Sequence, residues 1–245
     1  SRGCPHPCVY CSPVTRETWG RNFRPRSAAS VVAEVDALVE MGANAICFDD
    51  DDLPATPGHT RRLSEALAAR DEIVPWIAHA RIDDVDGALL ESMARGGCVL
   101  LRFGVEAASE KVLDTLQKRR RKGGWAARAK EVFAHCRRLG IATTGLFLVG
   151  NPGETRAEAE ETLQLALAIK PDLVQFHYFT PYPGSSAFAE YRDQLEEGDI
   201  ERLYHYEVPR VNPSQIPDEE LQGLQRAFYL RYFGRPRFLV RHALR

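Results

Sequence analysis

One unit recurs along this chain of 245 residues: an amphipathic helix, a glycine that stops it, a short apolar strand, then a carboxylate. In the first copy Val31, Val35, Leu38 and Val39 share one helical face, Gly42 ends the helix, and a strand over 45–48 runs into Asp49, Asp50, Asp51 and Asp52. The second passes from Leu89, Leu90 and Met93 through Gly96 and Gly97 to a strand over 99–105 and Glu106. In the third, Val132, Phe133, Cys136 and Leu139 precede Gly140, a strand over 143–149 and the turn Gly150-Asn151-Pro152-Gly153-Glu154. Further strands over 76–80 and 173–178 end near Arg81 and His177. Helices alternating with near-continuous apolar strands predict an α/β fold with a parallel sheet covered by helices. These five strands, with one more expected upstream of Cys4, make about six βα units, a partial (β/α)6 TIM-like barrel. The core is expected over 1–195. A C-terminal helical extension over 196–245, with a helix from Pro217, is expected to pack on it.

In such a fold the site lies at the C-terminal ends of the strands. Here those ends carry Arg81, Glu106, Glu154 and the aspartate cluster, together with the run Cys4-Pro5-His6-Pro7-Cys8-Val9-Tyr10-Cys11. Pro5 and Pro7 keep that run extended and remove backbone donors, which predicts a loop wrapped round something. Three thiolates at this spacing suit an iron–sulfur cluster in which one iron keeps an open position. Zinc held with His6 or a distant histidine is the alternative that the residues leave open, although the second C-x2-C half of most structural zinc sites is missing. The other cysteines, Cys47, Cys98 and Cys136, sit singly in apolar stretches, where the residue behaves as a small buried hydrophobe, so a reducing, cytoplasmic setting is expected.

The C-x3-C-x2-C spacing with Tyr10 before the last cysteine resembles the signature of the radical S-adenosylmethionine (SAM) superfamily. The stretches 48–53, 104–109, 150–155 and 180–185 resemble strand ends of its cobalamin-dependent class, including the anaerobic Mg-protoporphyrin ester cyclase type. The resemblance implies a 4Fe–4S cluster on Cys4, Cys8 and Cys11. It also implies reductive cleavage of SAM to a 5′-deoxyadenosyl radical, used for hydrogen abstraction, methylation or cyclisation of a small organic substrate. Tyr10 would lie near the adenine, Asp50 or Asp51 near the methionine amino group, and Glu106 near the ribose or amino-acid end. Phe147 and Phe176 would wall the adenine, and Arg81 is grouped with the SAM contacts. His177 is the candidate for substrate contact or proton transfer. Cobalamin enters as an optional second cofactor, because the domain that binds it in that class has no counterpart in these residues. An electron donor such as flavodoxin or ferredoxin is implied as a partner. Within the superfamily the alternative is methylthiolation of tRNA or protein; outside it, a zinc-stapled binding module.

Composition narrows the partners. A formal net charge of −2 lacks the basic excess of a protein held on nucleic acid, and no stretch is long and apolar enough to span a membrane. The run Lys118-Arg119-Arg120-Arg121-Lys122 reads as a solvated connection after a helix, with reception of an anionic substrate as its functional alternative. The basic, aromatic end from Arg231 reads as a packed terminal helix with a solvated basic face.

Overall fold

The computed structural model describes residues 1–11, 18, 20, 22–118, 124–196, 198–207, 209–236 and 238. Five parallel strands form one sheet in sequence order: β1 (Ile46–Phe48), β2 (Trp76–Arg81), β3 (Cys98–Glu106), β4 (Ala142–Val149) and β5 (Leu173–Tyr178). Each connection carries a helix: α1 (Ala28–Glu40) before β1, α2 (Pro57–Ala68), α3 (Gly87–Arg95), α4 (Glu110–Thr115) with α5 (Trp125–Leu139), and α6 (Arg156–Ile169). α7 (Ser186–Tyr191) and α8 (Asp218–Phe233) follow β5. This is the predicted parallel α/β architecture, with five strands among the described residues.

The caps follow the local sequence. Ser27, Asp86, Ser109, Thr155 and Ser185 each accept a backbone N–H with the side chain at a helix start, and Gly140, at φ +76°, closes α5 in the left-handed region. Thr155 and Glu158 form a reciprocal capping box on α6, directly after the Gly150 turn. Thr155→Ala is expected to cost about 1 kcal/mol, lowering Tm by roughly 2–4 °C in thermal denaturation.

Alternation along the strands decides what reaches the site. Phe103, Val105, Phe147, Val149, Phe176 and Tyr178 point outward and are buried beneath the helices, whereas His79, Arg81, Arg102, Gly104, Glu106 and Leu146 point to the other face. α8 packs on β5 and α6, placing Leu221, Leu224, Phe228 and Tyr232 in the same core cluster as the sheet. Tyr232 Oη donates to the Pro171 carbonyl at 2.6 Å, and Gln225 Nε2 donates to the Phe176 carbonyl at 2.6 Å.

Two expectations change here. Phe147 and Phe176 are fully buried and stacked on each other at 5.2 Å, and Phe176 meets Phe228 and Tyr229 of α8 edge-on. They fill the layer between sheet and helices, outside the lining of the cysteine cavity, and their odd–even positions on β4 and β5 turn them to the helix side. Cys47 is exposed, unlike the buried Cys98 and Cys136, because β1 pairs only with β2 and lies at the sheet edge. The tail beyond 238 and residues 119–123 of the basic run lie outside the described residues.

Candidate active site

The cysteine loop lies over the C-terminal ends of the strands and is tied down at several points. Gly3, at φ +83°, passes so near the backbone of Asn22 that a Cβ would sit 2.4 Å from its carbonyl oxygen. Val9 N donates to the Leu116 carbonyl at 3.2 Å, and the Val9 carbonyl accepts from Ala187 N at 3.1 Å, joining the loop to the ends of the β3 and β5 connections. His6 is buried, with Nε2 2.9 Å from Asp52 Oδ2 and 3.0 Å from Asp84 Oδ2. Asp52 Oδ1 in turn accepts from Arg81 N at 3.1 Å. Burial pushes the Asp52 carboxyl up to about 6, opposed by the bond to His6. His6 is therefore a clasp between loop and sheet.

Cys4, Cys8 and Cys11 form no disulfide and line one cavity of about 190 Å3. Among the described residues, the only group of three side chains with ligand atoms all within 4.8 Å of one another is His6, Asp52 and Asp84. Three thiols on one loop are a donor set that suits a cluster whose irons each take one thiolate. Arg81 Nη1 donates to Cys8 Sγ at 3.3 Å, while its Nη2 bonds the Lys118 carbonyl. Arg81 thereby acts through Cys8. Burial, the carboxylates of Asp51 and Asp52 and neighbouring Cys8 hold the Cys4 thiol above its usual range, so ligation there must displace a proton.

Glu106 enters the cavity through a local distortion of β3. The register with β4 shifts between Gly104 and Glu106, and Glu106 itself has φ +64°, a left-handed backbone rare for a side chain of this size. Its Oε1 accepts from Tyr10 Oη at 2.9 Å and from Lys118 Nζ at 2.8 Å. A Cβ at position 104 would lie 2.5 Å from that carboxylate oxygen and 2.7 Å from the ammonium, so the ion pair occupies space that glycine leaves open. Burial and the Glu106 charge raise the Tyr10 hydroxyl well above the usual phenol range, keeping it a donor.

The other expected residues divide. Asp51 lines the cysteine cavity, whereas Asp50 lines a separate hollow beside α1 and Phe48. His177 is buried near the end of β5, outside the lining of the cysteine cavity. Its ring meets His205 at 4.5 Å and Tyr206 at 4.7 Å, with Nδ1 lacking a hydrogen-bond partner among the described residues. Burial and then His205 lower its imidazole to about 4, so it is neutral at pH 7.

Sequence reasoning missed Lys118, His79 and Arg102. Lys118 was hidden in a run that reads as solvated, yet it is 5% exposed and paired with Glu106. His79 and Arg102 carried a usable signal, since His79 lies two residues before Arg81 on β2 and Arg102 four before Glu106 on β3.

Glu154 is structural. Its Oε2 accepts from Gly150 N at 2.7 Å and Asn151 N at 3.0 Å, holding the turn after β4, and burial pushes the carboxyl from 4.5 up to about 7. A carboxyl raised on folding binds its proton more tightly in the native state. Its contribution is therefore complete below pH 4.5 and is lost as the pH rises through 7, a change on the order of 2–3 kcal/mol. Glu154→Gln is expected to flatten this slope: between pH 5 and pH 8 its Tm should fall by roughly 5–10 °C less than that of the unmodified protein.

A parallel α/β sheet with Cys4, Cys8 and Cys11 on one loop over its strand ends defines a barrel-type enzyme core. The family model for the radical SAM superfamily matches residues 1–166, and the chain belongs to that superfamily, whose cofactors are a 4Fe–4S cluster and SAM. It is similar to an uncharacterized methyltransferase of Pyrococcus horikoshii, 29% identical over 98% of this chain and 52% of that protein. It is also similar to the anaerobic magnesium-protoporphyrin IX monomethyl ester cyclase of Cereibacter sphaeroides, 31% identical over 94% of this chain and 38% of that one. The chain spans about half or less of these relatives. Among solved structures, the radical SAM methyltransferase TsrM from Kitasatospora setae shares the fold, with TM-score 0.69 and 20% identity over 78% of this chain and 38% of that chain. Among the described residues no helix is long and apolar enough to cross a membrane.

Proposed function

We propose that residues 1–195 form a radical SAM catalytic core, with 196–245 packed on it as an extension, and that Cys4, Cys8 and Cys11 hold a 4Fe–4S cluster. The observation that carries this reading is the convergence of Cys4, Cys8, Cys11, Tyr10, Asp51, Glu106 and Lys118 on one cavity at the strand ends. When bound, the cluster and SAM supply one-electron cleavage of the sulfonium and radical hydrogen abstraction from a substrate.

The chain's own residues bind and orient. With Tyr10 and Lys118 both on Oε1, Glu106 keeps Oε2 as an acceptor for a ribose diol or an amino group. Asp51 offers a carboxylate to the methionine ammonium, Tyr10 presents a ring edge to the adenine, and Lys118 supplies a cation at the same level. Arg81 holds the Cys8 sulfur. His177, neutral and with Nδ1 unclaimed among the described residues, is the group placed to accept a substrate proton or hydrogen bond. The whole protein is read as a methylase or cyclase of a small organic substrate. It would receive electrons from a flavodoxin or ferredoxin in the cytoplasm, with cobalamin held by a part outside these residues.

The test is anaerobic reconstitution with iron and sulfide, reduction, and measurement of 5′-deoxyadenosine and methionine formed from SAM. A brown protein that releases both is expected. A colourless zinc protein without SAM cleavage would sink the reading.

A further inference from the structure

The cavity below the cysteine loop holds three cationic side chains, and they are not alike. Arg81 has Asp83 and Asp84 within 3.6 Å, and Lys118 has Glu106 at 2.8 Å. Arg102 has no carboxylate within ion-pair distance among the described residues; its one hydrogen-bond partner there is His79, with Nη1 3.3 Å from Nε2. The two residues face each other directly across β2 and β3, and both line the cavity. Burial, then the charge of Arg102, hold the imidazole of His79 below its usual range, so it orients the guanidinium as a neutral acceptor without balancing its charge. Among the described residues, Arg102 is thus the cavity cation that no ion pair engages, and an anion entering the cavity would find its guanidinium available.

We propose that Arg102, oriented by His79, is the docking point for a carboxylate on the organic substrate; this rests on the radical SAM reading of the same cavity. Depth argues for substrate over SAM. Arg102 lies two residues before Gly104 on β3, about 7 Å below the level where the Glu106 carboxylate and the Lys118 ammonium meet beside Gly104. Charge argues for a monoanion: Asp49 and Asp51 act electrostatically on His79, and Glu106 stands above, so a dianionic phosphate would meet more repulsion than a carboxylate. The planar guanidinium edge matches a carboxylate in two parallel bonds, and Ala80 and Leu146 offer apolar wall beside it.

Calorimetric titration of the metal-free chain with benzoate, benzyl alcohol and inorganic phosphate tests this. Benzoate is expected to bind at least tenfold more tightly than benzyl alcohol and more tightly than phosphate. Arg102→Met is expected to lose at least tenfold in benzoate affinity, with Arg102→Lys, which keeps the charge but not the fork, falling between. His79→Gln retains an acceptor for Arg102 and should bind within about threefold of the unmodified chain, whereas His79→Phe should not. On the cluster-loaded protein, saturating SAM should leave benzoate affinity within about twofold. Displacement of benzoate by SAM would transfer Arg102 to the cofactor and overturn the substrate assignment. Absent benzoate binding, equal binding by benzyl alcohol or by Arg102→Met, or tighter binding of phosphate, would also overturn it. Because the metal-free titration needs no SAM cleavage, its failure is separable from failure of the proposed activity.

Discussion

Cys8→Ala is expected to leave the reconstituted protein without its brown colour and to lower 5′-deoxyadenosine formation at least about 100-fold, since even changes beyond the ligand atoms cost 10–100-fold in metal affinity or activity. Cys8 is the most enclosed of the three thiols, 6% exposed, and the one whose sulfur receives the Arg81 guanidinium. Removing it takes away one of the three proposed cluster ligands and leaves the Arg81 donor facing a methyl group. Loss of a ligand is a different event from loss of a buried thiol. Cys98→Ala, at the opposite end of β3, removes a buried sulfur near Cys136 and should keep colour and product. The comparison needs visible absorbance, iron content and product yield from the same preparations. A brown Cys8→Ala protein that still cleaves SAM would remove the cysteine loop from the reaction.

Lys118→Met carries the second large effect, read first in stability. Lys118 and Glu106 are 5% and 6% exposed, and their 2.8 Å contact sits against Gly104, where no other side chain can intervene. Taking away one partner of a buried pair leaves an uncompensated charge and costs roughly 3–5 kcal/mol, far more than the net worth of the pair itself. For a chain of this size that is a fall in Tm of roughly 6–20 °C. The double change Lys118→Met with Glu106→Gln should recover most of it, because neutral groups of similar shape replace both charges. Thermal denaturation of the two single variants and the double variant closes the cycle. Equal losses for Lys118→Met and the double variant would show that the pair contributes nothing through its charge. The double variant should nonetheless bind SAM poorly, which separates stability from function at the same two side chains.

Much of this was readable from the chain itself. The strands end within a residue or two of where apolar runs and glycines place them, and the cysteine spacing names its cluster chemistry through a resemblance that the family match bears out. Errors fell where a side chain's direction mattered. Phe147 and Phe176 have the right composition for a ligand wall, but a strand sends alternate residues to opposite faces, and only the position of α8 makes plain which face is the helix side. Asp50 and Asp51 are adjacent and chemically identical, yet they open onto different hollows.

The sequence by itself determined the alternation of helix and strand, the helix caps and the thiol loop, because apolar period, capping and ligand spacing are written within a few contiguous residues. Tertiary structure alone decided that Lys118 leaves its basic neighbours to meet Glu106, that Tyr10 joins them from 96 residues away, and that Arg102 is left with an imidazole for company. Such pairings depend on which strand faces converge, and the energy of a charge depends on the burial and partners found there, neither of which a local pattern encodes.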